Sequence, residues 1–253
     1  MKPRGEPAHQ HTASLHNRFE GHSGAWQLTE SVDNFLTRLP PASTDRGLTG
    51  LTWIRIANPF IENAAEGENH QEFIQGGLAR LKILSSFIRM SNTSGKPRFV
   101  VKREISEARK ATVNDLHELS IRCGLVSGKW MLFPEPGTVN NVWSKVARAT
   151  ANNELGISAK VAARDESEGE HLVCIYTSDF RDKDDIARVL SRLRQLDLVR
   201  QGGKQIYYKC GGYTYMVQAT VDAPLTKRAD SWTSIGIYGE NEWNIPASMV
   251  RPM

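Results

Sequence analysis

Residues 127–198, SGKWMLFPEPGTVNNVWSKVARATANNELGISAKVAARDESEGEHLVCIYTSDFRDKDDIARVLSRLRQLDL, set the tightest limit on what this chain can become. In GKWMLF, Trp130 and Leu132 oppose Met131 and Phe133, which is strand periodicity, and Pro134, Pro136 and Gly137 break it. Thr138 then stands where a helix cap belongs, and Val139, Val142, Trp143, Val146 and Ala149 make an apolar stripe with Lys145 and Arg148 facing away. SAKVAAR alternates Ala159, Val161 and Ala163 with Lys160, Ala162 and Arg164, so both cations share one face of a strand. The acidic turn DESEGE reverses the chain, and HLVCIYT returns it antiparallel. Asp182 caps a second helix that buries Ile186, Val189, Leu190, Leu193 and Leu196 and leaves Arg188 and Arg192 on a solvated face. Strand, helix, strand, hairpin, strand, helix predicts an α+β fold, an antiparallel sheet with helices packed on one face.

Length is compatible with closing that sheet. The 253 residues contain no long linker, which predicts a polar N-terminal arm over residues 1–25 and a single domain over residues 26–253. Apolar residues at 40% and charged residues at 24% are ordinary globular values, and no apolar run approaches a membrane span. Cys123, Cys174 and Cys210 are odd in number and lack CxxC spacing, which argues against a disulfide framework or a zinc site and for a reducing, cytoplasmic setting. A formal charge of +4 points toward a phosphate-bearing partner.

The flanking segments fill in the layers. Four of the seven histidines, His9, His11, His16 and His22, fall in the arm at spacings that fit no structural metal site, so no metal or cofactor is expected. Thr29 is placed to cap a short helix with Val32, Phe35, Leu36 and Leu39 on one face, ended by Pro40 and Pro41. LTWIRIANP alternates Trp53 and Arg55 with Ile54 and Ile56, so an aromatic and a cation project together from one side of a strand. A helix is predicted over residues 68–89, weakened by Gly76 and Gly77, then a loop, then RFVVKRE as a short strand or extended lead-in to another helix. In that next helix Lys102, Arg103, Arg109, Lys110 and Arg122 mix with Glu104, Glu107, Asp115 and Glu118, which reads as a solvated face stopped by Gly124. Cys174, flanked by Val173 and Ile175, reads as a packed core thiol. Two short strands around Gly211 and Gly212, and a last strand WTSIGIY, complete the expected sheet.

The ordered motifs SVDNFLTRLPP, TWIRIANP, SGKWMLF, VWSKVARA, AKVAARD, HLVCIYTSDFRDKDDIARVLSRLRQL and KRADSWTSIGIYGENEWNIP resemble the basophilic leukaemia expressed protein family of eukaryotes over about residues 31–250. That resemblance implies a fold similar to the cap-binding translation initiation factor 4E: a curved antiparallel sheet with helices on its convex back and a ligand cleft on its concave side. Cap binding needs two aromatic rings and a carboxylate. Where the factor has a Trp-Glu pair this chain reads DLHELS, with His117 and Glu118 and no tryptophan, so cap recognition does not carry over. Arg164 resembles the factor's phosphate-binding cation in position. The chain is also similar in size and basic character to the fungal arginine-containing cyclodipeptide synthases, which take aminoacyl groups from charged transfer RNA; the insertion YTYMVQATVDAPLT fits a specialised member.

Two functions follow as expectations. The first is an aminoacyl-transferase, a cyclodipeptide synthase joining aminoacyl groups from charged transfer RNA into arginine-containing cyclic dipeptides. Arg55, Lys160 and Arg164 would hold phosphates, Lys227 and Tyr176 would assist proton transfer, and Asp230 and Glu118 would meet a guanidinium. Trp53 and Trp232 would complete the substrate pocket. The second is a non-catalytic RNA- or nucleotide-binding module built on the same cleft, with a tryptophan stacking on a base.

Overall fold

The structure is a computed structural model that describes residues 14–62, 67–165, 169–199 and 206–212. Its elements run α1 (Val32–Arg38), α2 (Arg46–Thr49), β1 (Trp53–Ala57), α3 (His70–Asn92), α4 (Arg98–Arg122), β2 (Gly128–Leu132), α5 (Val139–Ala151), β3 (Ser158–Ala162), β4 (Val173–Thr177), α6 (Lys183–Gln195) and β5 (Tyr207–Cys210). The strands form one sheet in the order β1-β3-β4-β2-β5, and every neighbouring pair is antiparallel.

Alternation along each strand decides which face is covered. Ile54 and Ile56, Trp130 and Leu132, Ala159 and Val161, Val173 and Ile175, and Tyr208 all enter one apolar core with Phe35, Phe73, Leu116, Trp143 and Leu193 from the helices. The helices therefore pack on a single face of the sheet. Trp143 meets Phe35 edge-on with ring centroids 6.4 Å apart, and burying a side chain of that size contributes roughly 2–3 kcal/mol. The opposite face carries Trp53, Arg55, Lys160, Cys174, Tyr176, Lys129 and Met131, brought side by side by the registers Arg55↔Lys160, Lys160↔Cys174 and Lys129↔Tyr176.

Several boundaries differ from the sequence expectations, each for a local reason. Ser31, not Thr29, caps α1: its side chain accepts the Asn34 N–H at 3.1 Å, because Gln27 to Glu30 already form a turn. RFVVKRE is helical, with α4 starting directly after Pro97; helical spacing buries Ile105, Thr112, Val113 and Leu116, and this outweighs the local β-branched preference of Val100 and Val101. The glycines of α3 are not a weak point. A Cβ on Gly76 would sit 2.9 Å from Leu119 Cδ2, so the glycine lets α3 and α4 approach closely. The short α2, capped by Asp45 accepting the Leu48 N–H at 3.0 Å, has too few residues to show a period in the sequence.

From residue 14 onward the N-terminal arm is draped along β1. The His16 N–H reaches Pro59 O at 2.8 Å, the Arg55 N–H reaches Gly24 O at 2.8 Å, and Ala25 and Trp26 are buried. Cys123, Cys174 and Cys210 are buried free thiols. Among the described residues no helix is long and apolar enough to cross a membrane, and no group of three His, Cys, Asp or Glu side chains is placed to hold a metal ion. The second tyrosine strand and WTSIGIY lie outside the described residues.

Candidate functional site

The face opposite the helices opens into a cleft of about 840 Å³ at the end of β1, β3 and β4 where Ala57, Ser158 and Tyr176 lie in one row. Arg55 and Lys160 line one wall as cross-strand partners, and Tyr176 lines the next strand over. Glu62, Glu68 and Asp179 come from loops at the rim, and the draped arm adds Arg18 and Phe19. The cleft thus has a cationic floor and a partly acidic edge.

Lys160 is the most perturbed group in it. Its Nζ lies 3.8 Å from the centroid of the Trp53 ring and 5.8 Å from that of Tyr176, so the ammonium faces aromatic surface rather than bulk water. Burial, reinforced by repulsion from Lys129 and Arg55, pushes its pKa down to about 8. About a tenth of this amine is consequently neutral at pH 7 and about half at pH 8, and the neutral form is the one that can accept a proton.

Its neighbours take supporting roles. Lys129 is buried, its Nζ 5.8 Å from the Tyr176 centroid, and burial lowers its pKa as well. Arg55 places Nη1 3.3 Å from His22 Nε2 of the arm. Cys174 sits directly across from Lys160, but burial pushes its thiol up more strongly than Lys129, Lys160 and Lys209 pull it down, so it is not an activated thiolate. At the rim the Arg181 side chain binds both carboxylate oxygens of Asp179, at 2.9 Å and 2.5 Å, and holds its pKa below the usual carboxylate range. Glu68 pairs with His70 at 2.9 Å and Glu62 with His16 at 3.6 Å.

Of the residues singled out in the sequence, Trp53, Arg55, Lys160 and Tyr176 are brought together. Arg164 is not part of this group: it lies past the far end of β3, exposed, with its backbone N–H on Thr44 O and its carbonyl accepting the Arg46 N–H. Glu118 is exposed on α4 and does not line the cleft, while its neighbour His117 is turned against Phe180 and driven down to about 4 by burial. Lys227, Asp230 and Trp232 lie outside the described residues. Arg188 and Arg192 are engaged on the surface with Asp185 and Glu154. Arg18 and Glu68 line the cleft without having been picked out by sequence reasoning, since the path of the arm and the loop before α3 bring them there; strand pairing places Lys129 beside Tyr176 on the same face of the sheet.

The family model described as Basophilic leukemia-expressed protein Bles03 matches residues 1–217. The chain belongs to that family. The match includes the arm and all five strands described, so the cleft is built wholly from segments of the Bles03 domain. Lys227, Asp230 and Trp232 fall beyond it, and a role for them rests on the C-terminal segment of this particular member.

Proposed function

We propose that this Bles03-family protein is an aminoacyl-transferase whose cleft receives the aminoacyl end of charged transfer RNA and joins two aminoacyl groups into an arginine-containing cyclic dipeptide. The single observation that carries the reading is Lys160, an amine pushed down to about 8 in a cleft that pairs a cationic floor with an acidic rim. An arginine-charged RNA end needs both halves. Arg55 and Arg18 suit its phosphates, and Glu68 or Glu62 its guanidinium. The Asp179–Arg181 pair illustrates the bidentate geometry such a rim carboxylate can adopt.

In the proposed reaction the α-amine of one aminoacyl group attacks the ester carbonyl of the other. Neutral Lys160 takes the proton released by that amine, a C–N bond forms, the ester C–O bond breaks, and the ribose oxygen leaves with a proton supplied by Tyr176. Lys160 returns its proton to Tyr176, and the dipeptidyl ester then closes on itself in the same way. Two charged RNAs yield one cyclic dipeptide and two uncharged RNAs, with no redox change. The antiparallel sheet with helices on one face is in our reading a translation initiation factor 4E-like scaffold acting in the cytoplasm.

A second reading, an RNA- or nucleotide-binding module without turnover, draws on the cationic floor of Arg18, Arg55 and Lys160, which suits phosphates whether or not a reaction follows. One experiment separates the two. Purified protein is given arginyl transfer RNA and a second charged transfer RNA, and cyclic dipeptide is measured by mass spectrometry. Turnover by the wild type and a loss of 100-fold or more in Lys160→Gln is expected; RNA binding with no product above the enzyme-free rate would replace the first reading with the second.

A further inference from the structure

The basic charge of this chain is not spread over its surface. Residues 80–110 hold nine Lys and Arg against two Asp and Glu, a net of +7, which leaves 23 against 26, or −3, for the rest of the sequence. Those residues are the distal parts of α3 and α4 and the turn between them. Past Leu84 on α3 and before Ile105 on α4, Ser91 is the one buried side chain, so this end of the hairpin stands clear of the core. Lys82, Arg89, Arg98, Lys102 and Lys110 are exposed, and they have no hydrogen bond or ion pair among the described residues. Like charges are thus held close together with few local counter-charges, Lys96 on Glu104 at 2.8 Å being the strongest.

The root of the same hairpin is at the cleft. Glu68, two residues before α3, and Gly124, two residues after α4, both line it. A polyanion whose end occupies the cleft would have its body beside the arm. We infer that the distal α3–α4 hairpin is an arm that binds the phosphate backbone of a structured RNA whose end enters the cleft. This deepens the proposed function and rests on it for the identity of the RNA.

The length of the array favours RNA over a lipid surface. From residue 80 to residue 92 a helix rises about 18 Å, and the cations occur along that whole distance on both helices. Attraction to an anionic bilayer fades within a Debye length of about 8–10 Å, so an arm inserted tip-first would leave Lys82 and Lys110 beyond its reach. A nucleic-acid backbone presents phosphates along the full length. Exposed Ile83, Met90 and Phe99 at the same end are the feature a membrane would use, which makes the lipid surface the outcome to test against.

The test is filter binding of uncharged transfer RNA to the full chain between 50 and 300 mM KCl. Substituting Lys82, Arg89, Lys102 and Lys110 together by alanine should weaken binding at least tenfold at 100 mM and flatten the log K against log salt slope by up to about 3.6, near 0.9 for each duplex phosphate that the protein no longer neutralises. Exchanging lysine for arginine and arginine for lysine at those four positions should keep the slope. All four side chains are exposed, and an unchanged melting curve checks that the fold survives. An unchanged slope overturns the inference. So does sedimentation of the wild type with phosphatidylserine vesicles that the alanine variant loses while its RNA slope is intact. Failure of the two readings is distinguishable: a flattened slope without cyclic dipeptide keeps the arm and removes the transferase, whereas turnover with an unchanged slope and KM for charged RNA removes the arm.

Discussion

Lys160 carries a cation into a place where water reaches it poorly, and the cost of doing so depends on pH in a defined direction. Its folded pKa is about 8 against an ordinary lysine value of 10.5. Below 8 both folded and unfolded chains hold the proton, and the folded chain bears the full cost of the half-buried charge. Between 8 and 10.5 the unfolded chain binds more protons than the folded one, so stability rises with pH and the cost is gone above 10.5. Lys160→Met keeps the length of the side chain and removes the charge. It should be more stable than the wild type at pH 7 by on the order of 2 kcal/mol, once solvent access and the attraction of the ammonium to the Trp53 ring are discounted, and the gap should close toward pH 10. Urea denaturation of both proteins at pH 7, 8.5 and 10 checks this; a gap that stays constant would mean that Lys160 is not the group that titrates. Alternation in SAKVAAR was enough to put Lys160 on the polar face. It could not show that Trp53 and Tyr176 flank the amine, because that needs the pairing of three strands, and it wrongly extended the same face to Arg164, where the chain leaves the sheet to pair with Thr44 and Arg46.

Helix ends show why some elements were legible and others were not. Asp182 was readable because a cap acts within one turn: its carboxylate accepts the Asp185 N–H at 3.0 Å, and Asp184 and Asp185 add negative charge where the helix dipole favours it. Asp182→Ala should therefore cost α6 about 1 kcal/mol, seen as a lower midpoint in urea with an unchanged m-value, while Asp182→Asn recovers most of it. An equal loss in both variants would assign the effect to charge rather than to the cap. Thr138 looked equivalent but is not. It occupies the cap position with its hydroxyl turned back to Glu135 O at 3.2 Å and makes no cap bond to α5. RFVVKRE misled in the opposite way: its valines favour a strand locally, and what holds them in α4 is the packing of Ile105, Val113 and Leu116 against α3, a partner that no short window contains.

At the scale of the molecule, the division of charge between the hairpin and the rest has a mechanical consequence. A window over residues 102–122 counts five basic and four acidic residues and looks neutral; the basic segment ends near residue 110, about one turn from Ile105, where α4 enters the core, and only the three-dimensional path of the chain reveals it. Over residues 80–110 the net +7 opposes itself, and past Leu84 and before Ile105 no apolar side chain is fully buried to offset the repulsion. The Debye length falls from about 10 Å at 0.1 M salt to about 3 Å at 1 M, so added salt should relieve the repulsion between the two helices without touching the sheet. Hydrogen exchange resolved by peptide should show residues 85–104 exchanging faster than β3 and β4 at low salt, and slowing severalfold as KCl is raised from 50 to 500 mM, while the strand amides stay unchanged. Equal response of hairpin and sheet would indicate that salt acts on global stability instead. The distal hairpin would then be held by its packing alone, and its charge would be left without a structural cost to explain.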